Sequence, residues 1–418
     1  MRNLPFKETR RATIRDTLNH SKFFINEAAL REDYVPKEIL FRENEYEDLL
    51  LSCFTPYVQG SRGTNIVVYG KSGTGKTVTV KKIIQEIKEL IDEKKIKENT
   101  KPIYLQCSTF TTPYSLACFL AKQFNPDPMG TLLSKPSISD YLKHFLAWIE
   151  KNELNVALVL DEIDKTIPAN SDGSFDRFFY ILSRAVEMDL LKKGQLTILL
   201  ITNNMNLRDS FTPAVISSFG GFEVFFKNYD PEQVFVILKE RAKEAMYSDI
   251  LDDAALHYLA ARAMEFGGDI RKAISILNSA AYVAKINKRN KIGEEEINKA
   301  LEKIDWQTVS HALNDLKDSA KEGIAVLQSV LDLTPYNKDN PPTITKIQKK
   351  YEQFAGMLGV SSISETSLRR DLDYFVDKNI LSRKLDIVAK GYCYLPMINK
   401  EIIEKAITDV RLTLVRNR

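Results

Sequence analysis

A chain of 418 residues is too long for one ordinary hydrophobic core, so two or three domains are expected. With 44% hydrophobic and 28% charged residues the composition is that of a folded protein, and a net charge of +3 permits nucleic-acid binding without arguing for it. Four scattered cysteines with no C-x-x-C pair, four lone histidines, no apolar run of bilayer length and no signal peptide at Met1-Arg2-Asn3 argue against zinc, disulfides and membrane, and for a reducing intracellular setting.

Residues 1–26 carry Arg2, Lys7, Arg10, Arg11, Arg15 and Lys22 against Glu8 and Asp16, which suits either a frayed terminus or a basic arm on phosphate. Val35-Pro36 is a stiff extended piece that either lays apolar surface against an adenine ring or serves as a linker. A helical pattern starts at Asn44. The apolar run Asn65-Ile66-Val67-Val68-Tyr69 then ends in Gly70-Lys71-Ser72-Gly73-Thr74-Gly75-Lys76-Thr77, and a helix follows to about Lys94. Strand, G-x-x-x-x-G-K-T and helix in that order predict a phosphate-binding loop. Its glycines bring bare N–H groups to phosphate oxygens at the positive end of a helix. Lys76 is expected to reach the β- and γ-phosphates, and the Thr77 hydroxyl to hold Mg²⁺.

Ile103 to Cys107 reads as a second strand, followed by helices over Thr109–Asn125 and Ser139–Glu150. Val156 to Leu160 is a buried parallel strand ending in Asp161-Glu162-Ile163-Asp164. There Asp161 would serve the metal shell and Glu162 would polarise the attacking water. A helix is expected over Ser174–Leu191, then a buried strand from Leu196 to Ile201 that ends in Thr202-Asn203-Asn204. Asn203 beside the acidic pair suits a group that touches the γ-phosphate or the water, and Phe222 to Phe226 is a last strand. Strands alternating with helices imply a parallel sheet between helical layers.

From Pro231 the pattern is helical, at about 231–246, 252–265, 269–286 and 294–304. In Gly268-Asp269-Ile270-Arg271 the arginine either points toward the phosphates or pairs with Asp269, and the sequence leaves both open. A polar connector over 305–320 leads to helices at 324–333, 344–358 and 364–379 and to a hairpin over 381–395, the order of a winged helix-turn-helix. Leu368, Leu372 and Phe375 face inward, leaving Arg369 and Arg370 for a major groove and Arg383, Lys384 and Lys390 for the wing. Asp371, Asp373 and Asp377 make a plain solvated face the competing reading.

With these parts in this order, the chain resembles the archaeal origin-recognition and cell-division-cycle type of AAA+ replication initiators. The resemblance rests on Leu30-Arg31 with Val35-Pro36, Phe41-Arg42-Glu43, the phosphate loop, Leu160 to Asp164, Ile201 to Asn204, Phe226 to Tyr229 and Gly268 to Arg271. It implies an α/β AAA+ P-loop ATPase domain, an all-α lid and a C-terminal winged-helix domain, over about 27–229, 230–305 and 306–418 behind the basic arm 1–26. It implies ATP or ADP with Mg²⁺ as ligands, and Asn203 and Arg271 as the first and second sensors of the phosphates. Val35, Pro36, Tyr229 and Arg241 would line the nucleotide pocket, and a DNA-touching insertion would fall between about Phe110 and Lys135. The implied partners are double-stranded origin DNA, the replicative helicase and paralogous initiators, in the cytoplasm at the archaeal nucleoid and away from membranes. The competing functions are a negative regulator at origins or promoters, a signalling ATPase whose winged helix binds protein, and a ring-forming remodeller. One departure counts against the last: the family places an arginine finger just before the valine of Thr212-Pro213-Ala214-Val215, and this chain has Ala214.

Overall fold

The computed structural model describes residues 23–124, 135–166, 173–219, 222–334, 342–386 and 391–416. The basic side chains expected between Arg2 and Lys22, part of the expected insertion, and Lys390 therefore lie outside the described residues. The described chain forms two compact units.

The sheet unit comprises residues 27–244 and 268–272. Its five strands are β1 (Ile66–Gly70), β2 (Thr100–Gln106), β3 (Asn155–Asp161), β4 (Gln195–Thr202) and β5 (Glu223–Phe226), all parallel in the order β2-β3-β4-β1-β5. Every residue of β3 is buried, as its unbroken apolar run predicts for a strand covered on both faces. Successive side chains alternate between two cores. Val67, Leu158, Leu160 and Leu200 pack with the helices Pro113–Phe124, Ile138–Lys151 and Ser174–Ser183. Val68, Ala157, Val159 and Ile201 pack with Val80, Ile83 and Ile87 of the helix Lys76–Asp92 and with Leu49, Phe54 and Tyr57 ahead of β1. Each of the fully buried valine, leucine and isoleucine side chains contributes roughly 1.5–3 kcal/mol.

Register sets where the site falls. Leu105 of β2 pairs with Leu160, Leu160 with Leu200 of β4, and Leu200 with Val67 of β1. Consequently the carboxyl ends of β1, β3 and β4 present Gly70, Asp161 and Asn203 along one edge of the sheet. The helix after β1 covers one face and the helices after β2 cover the other, so that edge is a topological switch point, where ligands bind in open α/β sheets. The helix expected over 174–191 is shorter, ending at Ser183. Beyond it the Leu190 N–H returns to the Ala185 carbonyl and Asp189 takes a positive φ of 59°.

The helical unit holds residues 23–26, 245–267 and 273–416 of the described chain. Phe24 bridges to Met246 and the N–H groups of Ile25 and Asn26 donate to the Ala245 carbonyl, so this end of the expected arm is hydrogen-bonded. The expected connector around 305–320 is helical: Glu294–Asp315 is one continuous helix, and the boundary placed at 305/306 falls inside it. Ile297, Ala300, Leu301, Val309, Ala312 and Leu313 are buried along it at helical spacing, which explains why the helix does not stop. Then come helices Ala320–Asp332, Ile344–Leu358 and Glu365–Asp377, followed by an antiparallel hairpin of β6 (Leu381–Asp386) and β7 (Gly391–Pro396), the order expected of a winged helix. A helix Lys400–Arg416, not anticipated, closes the unit by burying Ile403, Ala406, Ile407 and Val410 in the same core as Leu368, Leu372 and Phe375.

Candidate nucleotide-binding and nucleic-acid-binding sites

The loop between β1 and the helix Lys76–Asp92 needs glycine at three places. Gly70, Gly73 and Gly75 have φ values of 157°, 74° and 96°, a region favouring residues without a Cβ. A Cβ on Gly70 would collide with the Phe226 carbonyl, one on Gly73 with the Asp269 carboxylate, and one on Gly75 with the Tyr229 hydroxyl. The loop is thus packed from behind, leaving its N–H groups at a helix start to face an anion.

Lys76 is buried, and its Nζ donates to the carbonyls of Gly70 (2.7 Å) and Lys71 (2.8 Å) and to Asn203 Oδ1 (2.9 Å). Burial pulls its ammonium pKa down to about 8, opposed by Asp161. Thr74 donates to the Lys71 carbonyl and Ser72 to Asp269 Oδ2 (2.6 Å). Asp269 also accepts the Arg271 N–H (2.9 Å), and the Arg271 guanidinium donates to the Ser72 hydroxyl. The Arg271 side chain thus lies against the loop at Ser72 and 3.9 Å from Asp269.

On the acidic side, Thr77 Oγ1 donates to Asp161 Oδ2 (2.7 Å), as does the Tyr104 hydroxyl (2.6 Å), while the Glu162 N–H donates to Oδ1 (2.8 Å). Burial and the adjacent Asp161 carboxylate push the Tyr104 pKa up, keeping its phenol a proton donor. Glu162 has a positive φ of 54°, a strained position for a non-glycine residue that turns its side chain out of the strand. Its carboxylate accepts a long 3.4 Å contact from Gln106 Nε2 and keeps acceptor capacity for a water. Asp164 accepts from the Thr202 hydroxyl (2.9 Å) and the Asn203 N–H (3.2 Å), fixing the strand end that aims Asn203 at Lys76. A hydroxyl and a carboxylate are hard oxygen donors and fit Mg²⁺, which takes few protein ligands and completes its shell with water and phosphate. No group of three or more His, Cys, Asp or Glu among the described residues offers a self-sufficient metal cage.

The expected pocket lining is placed as follows. Tyr229 is buried against Gly75. Arg241 donates to the carbonyls of Ala29 and Tyr34 (3.2 Å each) and lies over the Tyr34 ring, so it holds the segment that leads into the partly exposed Val35 and Pro36. Sequence reasoning missed Arg42. This buried guanidinium donates to the carbonyls of Thr74 (2.8 Å), Phe41 (2.7 Å) and Lys227 (2.6 Å) and stacks 3.8 Å above the Tyr229 ring. It ties the phosphate loop to the chain beyond β5. Lysine lacks that planar fork, so Arg42→Lys is expected to leave an orphan carbonyl and weaken nucleotide binding about tenfold, which fluorescent-ADP titration would measure. Ala214 sits in the helix Pro213–Ser218, and its carbonyl accepts from Arg184 (3.1 Å).

In the helical unit, Leu368, Leu372 and Phe375 are buried as expected, leaving Arg369 and Arg370 exposed. Arg369 pairs with Glu365 (3.0 Å), Arg370 with Asp371 (3.1 Å) and Arg383 with Asp373 (3.0 Å), and Lys384 is exposed. Surface pairs of this kind contribute about 0–1 kcal/mol, so a phosphate can displace them. No helix among the described residues is long and apolar enough to cross a membrane.

Comparison with known proteins gives concordant results. The AAA domain family matches residues 59–211 and the Cdc6 AAA+ ATPase-type lid domain matches residues 235–302. An ORC1-type DNA replication protein of Thermococcus kodakarensis is 31% identical over 379 residues, covering 90% of this chain and 87% of the relative. One from Methanosarcina mazei is 28% identical over 378 residues, covering 90% and 86%. Among solved structures, the Aeropyrum pernix ORC1 protein in complex with DNA superimposes with a TM-score of 0.73 at 24% identity, over 93% of this chain and 97% of that one, a likeness of fold.

Proposed function

Because this chain belongs to the family of ORC1-type DNA replication proteins, we propose that it is an ATP-regulated replication initiator that binds duplex DNA at origins and helps recruit or load the replicative helicase. The observation that carries this reading is the junction of Lys76, Asn203, Thr77 and Asp161 at the carboxyl edge of the sheet, in a chain that also carries exposed Arg369, Arg370, Arg383 and Lys384 on a helix and hairpin.

The loop N–H groups and Lys76 bind the triphosphate, exchanging the lysine's carbonyl partners for phosphate oxygens. Thr77 and Asp161 would hold Mg²⁺, which when bound offsets the charge on the phosphates. Glu162 accepts a proton from the attacking water, and Asn203 and Arg271 touch the γ-phosphate region, so its loss alters what holds residues 268–272. Tyr229, with Val35 and Pro36 positioned by Arg241, lines the base side. Ala214 supplies no cation to a neighbour's ATP, removing a term worth about 10³-fold or more where arginine fingers act. Hydrolysis is therefore slow, and ATP is a long-lived switch. We place the protein in the cytoplasm at the nucleoid, with paralogous initiators as further partners.

Arg369 and Arg370 face the major groove of the duplex, and Arg383, Lys384 and Lys390 contact backbone from the wing. Arg370→Ala is expected to weaken duplex affinity about tenfold, by the loss of one arginine contact, with nucleotide affinity as the control. Unchanged duplex affinity would move the contact elsewhere. The reading as a whole is tested by footprinting across a sequence library with ATP and with ADP over a salt series. Discrete, nucleotide-dependent protection that weakens steeply with salt is the expected outcome. Absence of salt-dependent protection would favour a signalling ATPase whose C-terminal domain binds protein, and discrete binding that suppresses replication would favour a negative regulator.

A further inference from the structure

Tyr104 belongs to β2, the edge strand farthest from β1, with β3 and β4 between them. Parallel pairing sets Tyr104 beside Val159 and Gln106 beside Asp161. Since side chains alternate along strands, Tyr104 shares with Asp161 the face covered by the helix Lys76–Asp92. The ring packs at the margin of that core with Lys81 Nζ 5.0 Å from its centroid. From there the hydroxyl reaches Asp161 Oδ2 at 2.6 Å, the same oxygen that accepts from Thr77 Oγ1 at 2.7 Å. The other oxygen, Oδ1, accepts the Glu162 N–H at 2.8 Å.

Three donors thus fix both oxygens of the carboxylate, and only one of them, Thr77, belongs to the expected magnesium-binding pair. The Glu162 N–H holds Oδ1 from the adjacent residue, whereas Thr77 and Tyr104 hold Oδ2 from distant parts of the chain. Of these two, Tyr104 restrains the carboxylate without being one of the pair that would hold the cation.

We propose that Tyr104 is a positioning residue for the divalent cation, holding Asp161 in the orientation that presents a hard-oxygen pair with Thr77. The proposal rests on the phosphate-loop reading above. Outer-shell partners that orient a metal-binding carboxylate typically account for 10–100-fold in metal affinity, so the hydroxyl should act on the metal and leave metal-free nucleotide binding untouched.

The test uses the full chain with ADP and Mn²⁺ as the probe, with free Mn²⁺ read by electron paramagnetic resonance and ADP affinity measured with and without metal. Tyr104→Phe, which removes one oxygen and keeps the ring, is expected to weaken Mn²⁺ binding about tenfold or more while ADP affinity in chelator stays at the parent value. Replacing Tyr104 by 3-fluorotyrosine, a stronger donor of nearly equal size, should shift Mn²⁺ affinity the other way and remains informative if the phenylalanine variant is unstable. Mn²⁺ affinity unchanged in both variants, or tightened by Tyr104→Phe, overturns the positioning role. Loss of metal-free ADP affinity in step with the metal would make Tyr104 a packing residue and overturn it equally. A parent protein whose ADP affinity ignores Mn²⁺ would instead overturn the magnesium assignment of Thr77 and Asp161, a separate failure.

Discussion

Lys76→Ala is expected to abolish nucleotide binding, with affinity falling by at least about a hundredfold, since it deletes a buried charge whose hydrogen bonds to phosphate are of the strongest kind. In the structure the ammonium is held by two loop carbonyls and Asn203. Burial, and to a smaller extent the Arg271 charge, disfavours its charged form, which is why its pKa falls to about 8. A triphosphate favours the charged form, so binding should pull that pKa back up. The sign follows: affinity is flat at neutral pH, where Lys76 is already protonated, and declines as pH rises past about 8, because binding must then take up a proton. Equilibrium titration with a fluorescent nucleotide from pH 6.5 to 9.5 (about three units across the lysine's range) reads both effects. Parent-like binding by the variant would remove Lys76 from the site.

Glu162→Ala should do the opposite, leaving binding intact and stopping turnover. A positioned general base accounts for about 10²–10⁴-fold in rate, and Glu162 is the carboxylate at this edge that no donor holds tightly. Asp161 is held on both oxygens and Asp164 on one. Single-turnover hydrolysis beside ADP affinity separates the two effects. Equal loss of both would mean that Glu162 shapes the loop rather than the water.

Much of the sheet unit was legible because its chemistry is local. The apolar runs ending at Gly70, Asp161 and Asn203 are buried strands, and of the residues that meet at the site Asp161 and Asn203 stand at or just beyond strand ends while Lys76 and Thr77 open the helix after the phosphate loop. Helix Ile344–Leu358 has the expected bounds because Gly359 ends it in a left-handed conformation. What was not legible depends on residues far apart in sequence. Arg42 donates to Lys227, and Asp269 receives Ser72, in pairs that no periodicity announces. Tyr104 read as an ordinary strand aromatic, since only the β2–β3 register brings it to Asp161. Ser174–Leu191 was read too long because it contains no glycine or proline to mark the turn beyond Ser183. The helix Lys400–Arg416 showed a clear spacing of Ile403, Ile407 and Val410, but a hairpin read as the end of the fold left it out.

The uninterrupted helix Glu294–Asp315 spans about 33 Å at 1.5 Å per residue. Its first half packs on the helix Asp253–Ala263, and its second half buries Val309, Ala312 and Leu313 in the C-terminal core, where Trp306 also donates to Asp409 (3.0 Å). Mechanically it is a drive shaft with both ends clamped. A tilt of about 10° imposed at the near end becomes a sweep of about 6 Å at the far end by lever geometry alone. A loose tether of the same length would dissipate that motion as coil entropy. The helix Glu365–Asp377 and the hairpin are therefore geared to the lid, and inserting two glycines near Gln307 would uncouple them like a slipped clutch.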